Sequence, residues 1–96
     1  MRQYELVFII SPDLDEEALE ALIEKVKGLL ETNGAEIVKL DKWGKRRLDY
    51  EIKDYHEGFY VIINFKGDAV AFNELDRILK ITEGVLRHMV VREKEK

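Results

Sequence analysis

The fold of this chain is decided by residues 3–34, QYELVFIISPDLDEEALEALIEKVKGLLETNG. Apolar side chains alternate along residues 3–10, which predicts a β-strand. The Ser11-Pro12-Asp13 sequence interrupts this strand, and Asp15 is the expected N-cap of a helix whose leucines, isoleucine and valine recur at helical spacing. Gly34 is expected to end the helix, since glycine readily adopts the left-handed conformation found there. The stretch therefore predicts a strand followed by an amphipathic helix.

The rest of the chain continues this pattern. We expect strands at 35–43 and 46–53 with a bulge or bend at Gly44 between them, a turn at 54–58, a strand at 59–66, a helix at about 69–80 and a last strand at 85–91. This order predicts an α+β, ferredoxin-like fold (split βαβ, βαββαβ), with two helices on one face of a four-stranded antiparallel sheet. We expect one domain over residues 1–96, with 93–96 as a short charged tail.

Composition and motifs exclude several functional classes. The chain contains no cysteine, which removes disulfides, thiolate metal sites and cysteine nucleophiles and suits the cytoplasm. There is no apolar run that could span a membrane, and the N-terminal sequence lacks the plan of a signal peptide.

Catalytic and metal-binding motifs are also missing. His56 and His88 lack metal-ligand spacing, so we expect His56 in a solvated turn and His88 packed and hydrogen-bonded. Ser11 is the only serine and has no base beside it, and no phosphate-binding glycine loop occurs. We therefore expect no metal, no cofactor, no small-molecule substrate and no enzymatic activity.

The charges are segregated along this chain of net charge −4. Lys45, Arg46 and Arg47 are consecutive, and alternation places Lys45 and Arg47 on one side of a strand and Arg46 on the other. Edge-strand charges that prevent aggregation are one explanation. We favour contact with nucleic acid, because guanidinium groups match phosphate geometry, through RNA shape and backbone rather than base-specific readout. The predicted contacts are Arg2, Lys45, Arg46, Arg47, Arg87 and Arg92.

The sheet face opposite the helices is predicted to be apolar. Alternation gives it an outward set consisting of Val7, Ile9, Tyr60, Ile62, Met89 and Val91. Such a surface indicates a protein partner, unless one strand is assigned the wrong parity or the residues are only half exposed. Trp43 either packs across the strand edge or forms a platform for a base or a partner side chain. The predicted partner contacts are Trp43, Tyr50, Tyr60, Ile62 and Met89.

Three stretches resemble the family of ribosomal protein S6 from the bacterial small subunit. Residues 44–52, Gly-Lys-Arg-Arg-Leu-Asp-Tyr-Glu-Ile, match a family motif of the form Gly-x-Arg-x-Leu-Ala-Tyr-x-Ile. The opening Met-Arg-Gln-Tyr-Glu and residues 85–92, Val-Leu-Arg-His-Met-Val-Val-Arg, are similar to the family's first and last strands. Asp49 departs from the usual alanine or serine, and Glu51 from the common proline, so this strand carries less positive charge.

The resemblance implies a structural component of the ribosome in the cytoplasm. It implies binding to the central domain of small-subunit ribosomal RNA, as a heterodimer with ribosomal protein S18. The fold alone leaves a regulatory ligand-binding module of the ACT-like type open, which would need a ligand pocket and dimerisation through the sheet. An acylphosphatase is disfavoured, because the loop after the first strand is acidic and would repel phosphate.

Overall fold

The computed structural model describes residues 2–52 and 54–92; Lys53 and the tail expected at 93–96 lie outside the described residues. The elements are β1 (Arg2–Ile10), α1 (Glu16–Thr32), β2 (Glu36–Ile52), β3 (Tyr55–Gly67), α2 (Ala69–Ile81) and β4 (Val85–Arg92). The strands form one antiparallel sheet in the order β2-β3-β1-β4. The predicted ferredoxin-like fold is confirmed, with β2 and β4 at the edges.

Local signals in the sequence fix both ends of α1. The Asp15 side chain accepts a hydrogen bond from the Ala18 amide at 2.8 Å, as expected of an N-cap. Gly34 has a φ of +81°, and the Ala35 amide after it donates to the Leu30 carbonyl at 2.9 Å. This closure satisfies carbonyls that the last turn leaves unpaired.

The hydrophobic core lies between the helices and one face of the sheet. Its buried members are Tyr4, Leu6, Phe8, Ile10, Leu22, Ile23, Val26, Leu30, Ala35, Val61, Ile63, Phe65, Ala71, Leu75, Leu79 and Val85. Every second residue of the central strand β1 belongs to this set, as strand alternation requires. Neither helix of the described ranges is long and apolar enough to cross a membrane.

The strand bounds differ from the prediction in two places. β2 runs without interruption from Glu36 to Ile52, and Gly44, with a φ of +78°, lies at a bulge inside it, one of the two forms expected at this position. β3 begins at Tyr55, so most of the turn expected at 54–58 is strand. Gly58 is buried in β3, where β1 and β4 approach its backbone closely. Glycine is also common in turns, so the sequence alone suggests a turn at this position.

β4 departs from strict alternation at its first residue. Simple alternation groups Val85 with Arg87 and Met89, but Val85 is 6% exposed and belongs to the core. The pairing of β1 with β4 shifts register between Ile9 and Ile10. The irregularity changes which face Val85 occupies and leaves the assignments beyond it intact.

Candidate functional site

The sheet face away from the helices, called here the open face, is built from cross-strand rows. Residues paired across strands share a face. One row contains Gly44, Tyr60, Ile9 and Arg87; the next contains Asp41, Ile62, Val7 and Met89; a third contains Lys39, Asn64, Glu5 and Val91. The predicted outward set therefore lies on the open face.

The exposure of this apolar set is uneven. Met89 is 50% exposed and Val91 46%, whereas Ile9 and Ile62 on the two central strands are 7% and 9% exposed. The two central residues are thus buried, which goes beyond the half exposure that the alternative expected. The open face therefore has a well-packed middle and exposed apolar side chains toward β4.

The basic stretch of β2 divides between the two faces as predicted. Lys45 pairs with Phe59 of the helix-side parity, Arg46 pairs with Gly58 of the open-face parity, and Arg47 pairs with Glu57. The ammonium of Lys45 lies 3.9 Å from a Glu57 carboxylate oxygen and 5.6 Å from the centre of the Phe59 ring. Arg46 alone of the three is directed to the open face.

Two arginines on the open face lie beside exposed aromatic rings. The guanidinium carbon of Arg46 is 5.6 Å from the centre of the Trp43 ring, and Arg46 Nε donates to the Trp43 carbonyl at 3.4 Å. The guanidinium carbon of Arg87 is likewise 5.6 Å from the centre of the Tyr50 ring. Such distances allow cation–π attraction. These four residues are called the aromatic–arginine surface, a grouping that sequence reasoning missed.

The bend and bulge of β2 place the two aromatics. Trp43 lies where the β2–β3 register shifts between Lys42 and Gly44, and its side chain is 51% exposed. Tyr50 is 59% exposed, and its ring lies beside Arg87 of β4 although β3 and β1 separate β2 from β4 in the sheet. Only the glycine at position 44 hinted at this arrangement in the sequence.

The six predicted cations do not form one patch. Arg2 lies at the start of β1, and Arg92 pairs with Tyr4 near that end. Lys45 pairs with Phe59, which pairs with Ile10 at the opposite end of β1. The eight residue steps from Arg2 to Ile10 correspond to about 26 Å of strand. Arg2 and Arg92 thus form one group, and the basic stretch with Arg87 forms another.

The lysines near the basic stretch are engaged with carboxylates. Lys42 Nζ is 2.6 Å from Glu20 on α1, and Lys39 Nζ is 3.4 Å from Asp41. Among the described side chains, no carboxylate lies within ion-pair distance of Arg46, Arg47 or Arg87. Among the described side chains at this end of the sheet, these arginines therefore carry positive charge without a carboxylate partner.

His88 is packed and hydrogen-bonded as expected, whereas His56 is solvated as expected but lies in β3 and not in a turn. His88 faces α2, with its Nε2 atom 2.9 Å from Asp76, and its side chain is largely buried. Hydrogen bonds with His88 and Lys80 hold the pKa of the Asp76 carboxyl below its ordinary value of 3.8. His56 is exposed, 3.7 Å from Glu51. The described part of the chain contains no group of three or more side chains suited to holding a metal.

Comparison with known proteins agrees with the geometry. A family model described as ribosomal protein S6 matches residues 3–92. A crystal structure of 30S ribosomal protein S6 from Thermotoga maritima superimposes with a TM-score of 0.92 at 36% sequence identity. The match covers 96% of this chain and 87% of that chain. The similarity therefore extends over both helices and the whole sheet.

Proposed function

The chain belongs to the ribosomal protein S6 family, a structural component of the small ribosomal subunit, and we propose that it binds the central domain of small-subunit ribosomal RNA together with ribosomal protein S18. The observation that carries the proposal is the layout of the open face. Exposed apolar side chains there adjoin arginines that lack carboxylate partners among the described side chains. Such a surface suits a composite site in which RNA and protein both take part.

The RNA side of the proposal rests on the arginines. Guanidinium groups match phosphate oxygens in a two-point geometry, and Arg46, Arg47 and Arg87 are all exposed. Arg2 and Arg92 supply a second, distant contact with the same polyanion. Two separated groups of cations fit an extended backbone better than they fit a single small anion.

The protein side of the proposal rests on the apolar row of the open face, formed by Ile62, Val7 and Met89. Met89 is half exposed beside Val7 and Ile62, and Tyr60 lies in the adjacent row. Apolar and aromatic side chains with few charges are typical of interface centres. Ribosomal protein S18 is the proposed occupant, and the ribosome in the cytoplasm is the proposed place of action.

A charge-reversal experiment tests the RNA contact. We expect the double variant Arg46→Glu, Arg47→Glu to bind the S18–RNA complex more weakly, with a slope of log affinity against log salt that is flatter by about 2. The matched control is Lys25→Glu, Lys27→Glu on α1, which changes the net charge equally. Unchanged affinity and slope in the arginine variant would remove these residues from the RNA contact.

The state of the purified chain separates this function from its alternative. A monomer that copurifies with RNA or a basic protein supports the ribosomal role. A homodimer free of nucleic acid, associated through the open face, would instead support the ACT-like ligand-binding module. Size-exclusion chromatography with absorbance at two wavelengths distinguishes the two outcomes.

A further inference from the structure

We propose that the aromatic–arginine surface binds unpaired nucleotides of RNA, with bases stacked on Trp43 and Tyr50 and phosphates held by Arg46 and Arg87. This inference rests on the proposed function and names the kind of RNA that this part of the open face takes. It also moves Trp43 and Tyr50, which the sequence placed in the protein interface, to the RNA side. The apolar row around Met89 keeps its role for the protein partner.

The exposure of the two rings is the first argument. Trp43 and Tyr50 are each more than half exposed, and both lie on strands of the described fold. Large aromatic groups in water are typical of binding surfaces when several occur together. Every base has a flat face that can stack on such a ring, so no particular sequence is required.

The charge beside the rings is the second argument. Arg46 and Arg87 lie over the rings without a carboxylate partner among the described side chains, while Glu57 and Glu51 are directed to Lys45 and His56. The guanidinium edges thus stay available for phosphate. Rings next to unmatched cations are the combination by which proteins hold single-stranded nucleic acid.

The geometry of the row is the third argument. Gly44 and Arg87 lie at opposite ends of a row that crosses all four strands, with Tyr60 and Ile9 between them. Three strand spacings make the row about 14 Å wide. In RNA-recognition domains that present a four-stranded sheet, aromatic side chains on the sheet stack two or three bases. A base inside a duplex hides both faces in its stack, so this surface favours unpaired nucleotides.

Trp43 makes the proposal directly measurable, because it is the only tryptophan of the chain. We expect a short oligouridylate to quench its fluorescence, and a self-complementary RNA duplex of equal length to quench it much less. The duplex carries more phosphates and a higher charge density, so charge alone predicts a response to the duplex at least as large as to the single strand. Equal quenching by both, or quenching by ribosomal protein S18 but by neither RNA, would overturn the proposal.

Variants separate stacking from charge. We expect Trp43→Leu to lower the affinity for labelled oligouridylate about tenfold, measured by fluorescence anisotropy, because one base loses its stacking partner. Trp43→Phe keeps an aromatic ring and should lower this affinity less than threefold. The control is Val38→Ala, which removes another exposed apolar side chain from the same strand. Equal affinity of Trp43→Leu and the wild type for oligouridylate would refute the base contact.

The same variants distinguish this inference from the function it rests on. Wild-type chain that fails to bind the S18–RNA complex would refute the proposed function itself. Wild-type binding that Trp43→Leu leaves unchanged in that complex would refute only the stacking of bases. A melting temperature of Trp43→Leu equal to that of the wild type shows that a loss of binding is local, as the exposure of Trp43 leads us to expect.

Discussion

Replacement of Gly58 by alanine tests how the hairpin is held against the sheet. A Cβ atom at this position would lie 2.5 Å from Cγ2 of Ile9 and 3.1 Å from the carbonyl oxygen of Ile10. The first contact involves a branched side chain with few rotamers, and the second involves backbone, so neither can move without disturbing β1. Overpacking of this kind costs about 1–3 kcal/mol.

The net effect on stability is smaller than this cost. Alanine restricts the unfolded chain more than glycine does, which returns about 0.4–1 kcal/mol where the backbone conformation is compatible. We expect Gly58→Ala to lower the free energy of unfolding by about 1–2 kcal/mol. For a chain of this size the midpoint of thermal unfolding should then fall by about 5–15 °C, measured by circular dichroism.

Gly28 provides a matched control with the opposite expected sign. It lies inside α1, and no atom of the neighbouring structure comes within 4 Å of a Cβ built on it. Gly28→Ala should therefore stabilise the chain by about 0.5–1 kcal/mol. If Gly58→Ala is as stable as the wild type while Gly28→Ala behaves as expected, the close approach of the hairpin to β1 is wrong.

Two further perturbations address the α2–β4 contact and the bulge of β2. Asp76→Asn should destabilise the chain at neutral pH, since the depressed pKa of the Asp76 carboxyl stabilises the folded state above the unfolded value near 4. The difference from the wild type in thermal midpoint should shrink as the pH falls through the folded-state pKa; a difference that stays constant down to pH 2 would contradict the ion pairing. Gly44→Ala should cost about 1–2 kcal/mol despite open space around it, because its φ is +78°. Gly44→Asn, which tolerates that conformation better, should recover part of the loss in urea denaturation, and equal losses for both variants would point to a cause other than φ.

Much of the fold follows from signals that are local in the sequence. Asp15 and Gly34 bound the first helix because caps satisfy backbone groups within a few residues. Alternation of side chains along β1 identifies the core face, since β1 is central and covered by helices on that face. These features depend on neighbours in the chain, so sequence reasoning can predict them.

The errors arise where distant strands decide the local structure. Gly58 resembles a turn residue, yet it lies in β3 because Ile9 needs the space that a side chain would take. Val85 reaches the core through a register shift between β1 and β4, which no pattern within β4 announces. The bounds of the hairpin and the face of Val85 therefore required the structure.

The candidate site shows the same division. Alternation alone predicts that Arg46 separates from Lys45 and Arg47, because a regular strand fixes that relation. The contact between Tyr50 and Arg87 joins residues from the two edge strands, which no pattern within either strand predicts. Sequence patterns assign Arg46 and Arg87 to RNA and Trp43 and Tyr50 to a protein partner, but the fold places each arginine beside one of these rings.

The hairpin end links the stability of the chain to its proposed function. Arg46 pairs with Gly58, and Gly58 is the point at which the hairpin contacts Ile9 of β1 and Leu86 of β4. Leu48 is buried in this region although it lies outside the main core cluster. A disturbance at Gly58 can therefore separate Tyr50 from Arg87 while both helices keep their packing on the sheet. If a Gly58 variant loses RNA binding while its core stays folded, the cause would then be displacement of the aromatic–arginine surface and not loss of the fold.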